Sequence, residues 1–240
     1  MSDLLRTLTT EQVHPDTVDI DRMDTGDIIR LINREDRKVP EAVEAIIPQL
    51  CDAVDLIVAA FRKGGRLFYV GAGTSGRIGI LDASECPPTY GTDPEMVQGI
   101  IAGGPQAVLS AVEGAEDDEE LGASEMDARA VCERDVVVGI AASGRTPFVL
   151  GAMKRARKLG AVVIGVCNNY GTPMVPLAHV MLEAVVGPEV ILGSTRMKSG
   201  TAQKLILNIL TTTSMIQLGK VYRNLMVDLQ PTNEKLVFRS

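Results

Sequence analysis

Apolar residues recur at helical spacing through "TGDIIRLINRED", residues 25–36, and again through "VPEAVEAIIPQLCDAVDLIVAAFRKGG", residues 39–65. A stripe at that period is what an amphipathic helix buries, so two helical stretches are predicted here. Pro40 suits a first helical turn, Pro48 is expected to kink or divide the second stretch, and Gly64 and Gly65 end it. Residues before Asp24 show no sustained period and are predicted to wrap the surface as an arm. Beyond residue 65 the pattern changes to short β-branched runs, "RLFYV", "MVQGIIA", "DVVVGIAA", "AVVIGVC" and "HVMLEAVV", separated by helical stretches at 105–131 and 147–160. Strands that are apolar throughout and alternate with helices imply a parallel sheet covered on both faces. A last long helix runs from about Lys198 through "GTAQKLILNILTTTSMIQLGKVY". The predicted fold class is α/β, a three-layer α/β/α sandwich with a mostly parallel five-stranded sheet and ligands at the carboxyl ends of its strands. Residues 1–36 form the arm and first helix, and residues 37–240 the sandwich.

Composition narrows the partners. A chain of 240 residues that is 45% hydrophobic can bury a sizeable core. Its 24 Lys plus Arg against 31 Asp plus Glu, with no basic run and few aromatics, argue against nucleic acid. An anionic ligand must then be held by local devices, backbone N–H groups and helix N-termini, which act regardless of net charge. Cys51, Cys86, Cys132 and Cys167 are scattered singly with only His14 and His179 beside them, so neither a metal site nor a disulfide framework is signalled. No signal peptide opens the chain and no charge-free apolar stretch is long enough for a bilayer, so a soluble, cytoplasmic setting away from membranes is expected.

The stretch "RLFYVGAGTSGRIGI" reads as strand, glycine loop and helix, and Gly71, Gly73 and Gly76 match the dinucleotide fingerprint. That reading also requires an acid at the end of the second strand to hold a ribose. Asp93 and Glu95 precede that strand, which runs out into Ile101, Ala102, Gly103 and Gly104. No acid stands where a ribose would lie, so no nicotinamide or other cofactor is expected, and no Walker lysine follows the loop. More telling is that the device occurs twice: a second Ser-Gly-Arg turn, "AASGRTP", follows the third predicted strand. Parallel strands deliver both turns to one edge, where hydroxyls and helix N-termini can surround one phosphate, each charged hydrogen bond being worth roughly 1.5–3 kcal/mol. The candidate ligands are Thr74, Ser75, Ser143, Arg145 and Thr146. The plainer alternative is that Ser75, Ser143 and Thr146 only cap helices.

Several longer motifs carry a resemblance. "GRLFYVGAGTSGRIGILDASECPPTYG", "AVEGAEDD", "VVVGIAASGRTP", "VGPEV", "GSTRMKSGTAQKLILN" and "NLMVDLQPTNEKL" occur in this order. Together they resemble the N-acetylmuramic acid 6-phosphate etherase family, whose members carry a sugar isomerase (SIS) domain. The resemblance implies cleavage of the D-lactyl ether of N-acetylmuramic acid 6-phosphate to N-acetylglucosamine 6-phosphate and D-lactate, in cell-wall sugar recycling. It also implies that Glu85, in "DASECPP", is the proton donor and that Glu116, in "VEGAED", is the second catalytic glutamate. Members usually continue beyond "NEKL" into a small helical domain, which is expected to be absent here because the chain stops at Ser240.

The chemistry suits two carboxyls. In the open-chain sugar the aldehyde acidifies the proton on carbon 2, and the lactyl oxygen on carbon 3 leaves by elimination before water re-adds. A base and an acid are required, but no metal. Partial burial is expected to raise the pKa of Glu85, placed after a short helix that ends before Pro87 and Pro88. Glu116, on its own, also reads as part of a solvated acidic helix start. Glu189 in "VGPEV" is a candidate for sugar hydroxyls or a plain loop carboxylate, and Lys198 a candidate for the lactate carboxylate or a snorkelling surface lysine. His179 reads as a satisfied structural histidine. The long apolar helices predict a homodimer. The rival functions are a non-catalytic sugar-phosphate sensor, like the glucokinase regulatory proteins, and an aldose-ketose isomerase.

Overall fold

The computed structural model describes residues 8–228, so the end of the last motif, "LQPTNEKL", lies outside the described residues. Helix α1 (Thr25–Asp36) begins where the Asp24 carboxylate accepts a hydrogen bond from the Asp27 N–H at 2.8 Å. The next apolar stretch is divided as its proline requires, into α2 (Lys38–Glu44) and α3 (Ile47–Arg62). Pro48 occupies the first turn of α3, where its missing N–H has no intrahelical partner to lose.

The five predicted strands are all present: β1 (Leu67–Gly71), β2 (Val97–Ile101), β3 (Val136–Ile140), β4 (Val162–Cys167) and β5 (Val180–Glu183). They form one parallel sheet in the order β2-β1-β3-β4-β5. Every residue of β1 and β3 is buried, the consequence of helices on both faces. On one face lie α2, α3, α4 (Gly73–Tyr90) and α8 (Lys198–Gln217), packed on Leu67, Tyr69 and Val138. On the other lie α6 (Glu119–Ala128) and α7 (Pro147–Lys158), packed on Phe68, Val70 and Val137. Among the described residues no helix is long and apolar enough to cross a membrane.

Three predicted elements differ. Residues 105–131 are not one helical stretch but a short α5 (Gln106–Leu109), a 3-10 turn (Ala115–Asp117) and α6. Gly114, with φ +74°, breaks the chain there, and Asp118 starts α6 afresh by accepting from the Leu121 N–H. Helix α4 is not short: it continues through Pro87 and Pro88 to Tyr90. Asp82, Cys86 and Tyr90, spaced one turn apart, are buried and hold the last turns on the core against the proline penalty. Helix α8 stops at Gln217, before the predicted end, and Val221–Tyr222 pairs with Leu225–Met226 as a small hairpin of β6 and β7.

The strand order places the ligand edge. In the sheet β2 lies on one side of β1 and β3 on the other, so the connections leaving β1 and β3 diverge, a topological switch point. Both Ser-Gly-Arg turns sit at that crevice.

Candidate active site

The first turn is shaped by close packing. A Cβ on Gly76 would lie 2.6 Å from Ile101 Cγ1, and one on Gly71 would lie 2.6 Å from the Gly76 nitrogen. Gly71 and Gly76 therefore let α4 sit against β1 and β2, and Gly73, with φ +52°, makes the turn, which accounts for the three without a dinucleotide. In the second turn, Gly144 has φ +65° and a Cβ there would lie 2.5 Å from Thr172.

Between the turns is a cleft of about 370 Å³ lined by Thr74, Ser75, Ser143, Arg145 and Thr146, with Glu116 on its rim. Neither helix start receives a side-chain cap: Ala72 precedes α4 and has no capping atom, and the Thr146 hydroxyl makes no cap bond to α7. Ser143 instead accepts from the Arg145 N–H at 3.2 Å. Gly73, Thr74 and Ser75 at the start of α4, and Thr146 and Pro147 at the start of α7, line the cleft, and the two helix dipoles add positive potential there. Arg145 Nε is buried with no hydrogen-bond partner among the described residues. A guanidinium lining a cleft between two uncapped helix N-termini has the charge to attract an anion.

Ser75 is oriented by a chain that the sequence did not reveal. Asn168 Nδ2 donates to the Ala184 carbonyl at 2.8 Å, so its Oδ1 must face Gln203, whose Nε2 donates to it at 3.1 Å. Gln203 Oε1 is then left to accept the Ser75 hydroxyl proton at 2.8 Å. Because a carbonyl can only accept, each amide in turn has one permitted orientation, and the Ser75 proton points inward. Its N–H and the hydroxyl lone pairs remain for the cleft. Neighbouring Asn169 extends the network to the arm, accepting from the Thr9 N–H at 2.8 Å and donating to Thr10 Oγ1 at 3.1 Å. Replacing Gln203 by leucine leaves Asn168 Oδ1 unsatisfied in a dry site, so we expect a loss of about 1–3 kcal/mol in denaturant unfolding and weaker binding of inorganic phosphate. Unchanged phosphate affinity in a folded variant would show that Ser75 needs no such support.

Other candidates lie elsewhere. Glu189 is fully buried and accepts from the Lys198 N–H at 3.0 Å, the Ser199 N–H at 2.9 Å and the Ser199 hydroxyl at 2.9 Å. It is neither a sugar ligand nor a plain loop carboxylate but the anion holding the start of α8. Lys198 is also buried, and its Nζ donates to Glu35 Oε2 at 2.8 Å. It lines a cavity with His14, Glu35 and Lys38, apart from the cleft between the two turns. The same Glu35 accepts from Lys38 at 2.8 Å and faces His14 Nε2 at 3.1 Å. His179 is structural, its Nδ1 accepting from the Val163 N–H at 2.9 Å.

The burial expected of Glu85 is absent. With α4 continuous, the inward positions are Asp82, Cys86 and Tyr90, and Glu85 falls on an exposed stripe with Leu81, Ser84 and Pro88. Ten residues of helix separate it from Ser75, roughly 15 Å at 1.5 Å per residue. It lines a separate cavity with Asp82, Cys86 and Asn208. Asp82, one turn earlier, accepts from Tyr69 Oη at 3.0 Å and Asn208 Nδ2 at 2.7 Å, and its burial raises its carboxyl pKa. Glu116 is exposed, on the turn that Gly114 creates. Thr195, in the loop before α8, joins the cleft without a sequence signal that marked it.

Fold and cleft define a sugar-phosphate-type SIS domain. Residues 118–213 match the SIS domain model, and residues 49–157 match that of the glucokinase regulatory protein N-terminal SIS domain. A phosphoheptose isomerase from Neisseria gonorrhoeae superposes with TM-score 0.59 at 18% identity over 82% of this chain and 98% of its own. A ligand-bound protein of Escherichia coli CFT073 gives 0.60 at 20% identity over 84% and 96%. At that identity they share the fold. The N-acetylmuramic acid 6-phosphate etherase of Clostridium acetobutylicum is 58% identical over all of this chain and 80% of its own length. That of Glaesserella parasuis is 55% identical over 99% and 79%. The chain belongs to the N-acetylmuramic acid 6-phosphate etherase family.

Proposed function

We propose that this protein is a carbon-oxygen lyase that cleaves the D-lactyl ether of N-acetylmuramic acid 6-phosphate, in cytoplasmic recycling of cell-wall amino sugars. The observation that carries the reading is the pairing of two uncapped helix N-termini and the Arg145 side chain on one cleft, with a carboxylate, Glu116, on its rim. The phosphate sits among Thr74, Ser75, Ser143, Arg145 and Thr146, and the sugar extends toward Glu116. There Glu116 removes the carbon 2 proton of the open-chain aldehyde, the carbon 3–oxygen bond breaks, and a carboxylic acid protonates the departing lactyl oxygen. Water then adds to carbon 3 of the unsaturated aldehyde. Four unpaired thiols, including exposed Cys51, are consistent with a reducing compartment.

Glu85 is the acid in this scheme, and its separation from the loops, roughly 15 Å along one helix, favours donation by a second copy. In a homodimer that covers the stripe of Leu81, Ser84, Glu85 and Pro88, a second copy supplies Glu85 to the cleft. Leu81, at one end of that stripe, is 51% exposed, an apolar side chain fit for burial. Within the described residues, 8–36 act as a strap on the sandwich, through Glu35 on Lys198 and Thr9 on Asn169.

Incubation with N-acetylmuramic acid 6-phosphate and an enzymatic assay of D-lactate tests the reading. Stoichiometric lactate and N-acetylglucosamine 6-phosphate are expected. Tight binding of the sugar phosphate without release of lactate would make the protein a sensor instead.

A further inference from the structure

Beside the phosphate cleft lies a second pocket of about 330 Å³, and the two share Ala72, Gly73 and Glu116 as a common wall. Ala102, Ala107, Ala111 and Val112 make the far wall small and apolar. Arg77 reaches into the same lining. Its Nε donates to the Val108 carbonyl and its Nη2 to the Ala107 carbonyl, each at 2.9 Å, so the guanidinium is fixed on α5. Nη1 makes no hydrogen bond among the described residues. The pocket therefore offers one positioned cationic donor set among methyl groups.

Building on the function proposed above, we infer that this side pocket takes the acetamido group on carbon 2 of the sugar. A base that removes the carbon 2 proton from the shared wall leaves the other substituent of that carbon beside the wall, within the second pocket. The acetyl carbonyl accepts from Arg77 Nη1, and the acetyl methyl lies against Ala102, Ala107 and Val112. The lactyl carboxylate does not belong here. The lining already sets Glu113 and Glu116 against a single Arg77, and a third carboxylate would add like-charge repulsion without a second cation. A neutral acyl group meets no such opposition. Arg77 and the small residues at 107 and 111 are in this way specificity-determining, selecting an N-acylated sugar by one hydrogen bond and by the size of the acyl group.

The experiment measures equilibrium binding of N-acetylglucosamine 6-phosphate and glucose 6-phosphate, each in competition with inorganic phosphate. The wild-type protein is expected to prefer the acetamido sugar by about 10- to 100-fold, the size of one charge-assisted hydrogen bond with a buried methyl. Arg77→Met removes the donor, and Ala111→Phe fills the pocket from its rim while leaving the bonds of Arg77 to α5 in place. Both are expected to bring the ratio of the two affinities close to one, with thermal melts confirming that each variant is folded. Equal affinities in the wild-type protein, both displaced by phosphate, would overturn the inference and leave the phosphate site standing. A preference that survives in both folded variants would overturn it too. If neither sugar phosphate binds, the proposed function falls and this inference with it.

Discussion

Glu116→Ala is expected to lower D-lactate release by a factor of about 10² to 10⁴, the usual contribution of a general base. That is about 3–5 kcal/mol of transition-state stabilisation. The same variant loses exchange of the carbon 2 proton with heavy water, because removal of that proton is the step it serves. Glu85→Ala is expected to lose lactate release by a similar factor while retaining exchange, since the acid acts on the departing oxygen after the carbanion has formed. Exchange lost in Glu85→Ala and kept in Glu116→Ala would exchange the two roles. The pair also tests the shared site. If each cleft combines Glu116 of one chain with Glu85 of another, random reassociation of the two inactive variants restores one intact cleft in each mixed dimer, about a quarter of wild-type activity. No recovery, with mixed dimers isolated through a different affinity tag on each variant, would place both carboxyls in one chain's cleft.

Replacing Glu35 by alanine is expected to destabilise the protein by about 3–5 kcal/mol, the cost of leaving a buried lysine without its counter-ion. Lys198 and Glu35 are each only 2% exposed at the side chain, and Lys38 and His14 converge on the same carboxylate. The Glu35→Leu, Lys198→Met double variant removes both buried charges and is expected to recover most of the loss in denaturant unfolding. Burial alone would push the Glu35 carboxyl up, but the hydrogen bonds from Lys198 and Lys38, the charge of Lys198 and the contact with His14 bring it down to about 2. A carboxylate whose folded pKa lies below its unfolded value stabilises fully above the unfolded value, 4.5, and loses that contribution as pH falls toward about 2. The wild-type protein is therefore expected to lose roughly 3 kcal/mol across that window, and Glu35→Ala to show a flatter profile there. Equal slopes would mean that other carboxyls carry the acid sensitivity. Because Lys198 opens α8, which carries Gln203, loosening the clasp is also expected to weaken phosphate binding.

The strands could be read from the chain because a doubly covered parallel strand must be apolar at every position, as β1 and β3 are. Both Ser-Gly-Arg turns were legible too, since such a run at a strand end is a local signal and parallel strands bring such runs to one edge. Gly114 is less easily read, because it interrupts a polar stretch whose helical period was weak from the outset. Glu85 shows the limit of motif reading. Its prolines argue locally for a helix end, but the buried side of α4 outweighs them, and the continuous helix turns Glu85 outward.

The α/β class, the five strands and the paired turns are written in the chain. Those features rest on periodicity and on contacts between residues near one another in the chain. Tertiary structure alone decided that Glu189 holds a helix start, that Lys198 is clasped by Glu35 163 positions away, and that Ser75 is oriented through Gln203 and Asn168. Burial and hydrogen-bond partners at that separation depend on which elements pack together, and an isolated Glu, Lys or Gln in the sequence is the same letter in water and in a core.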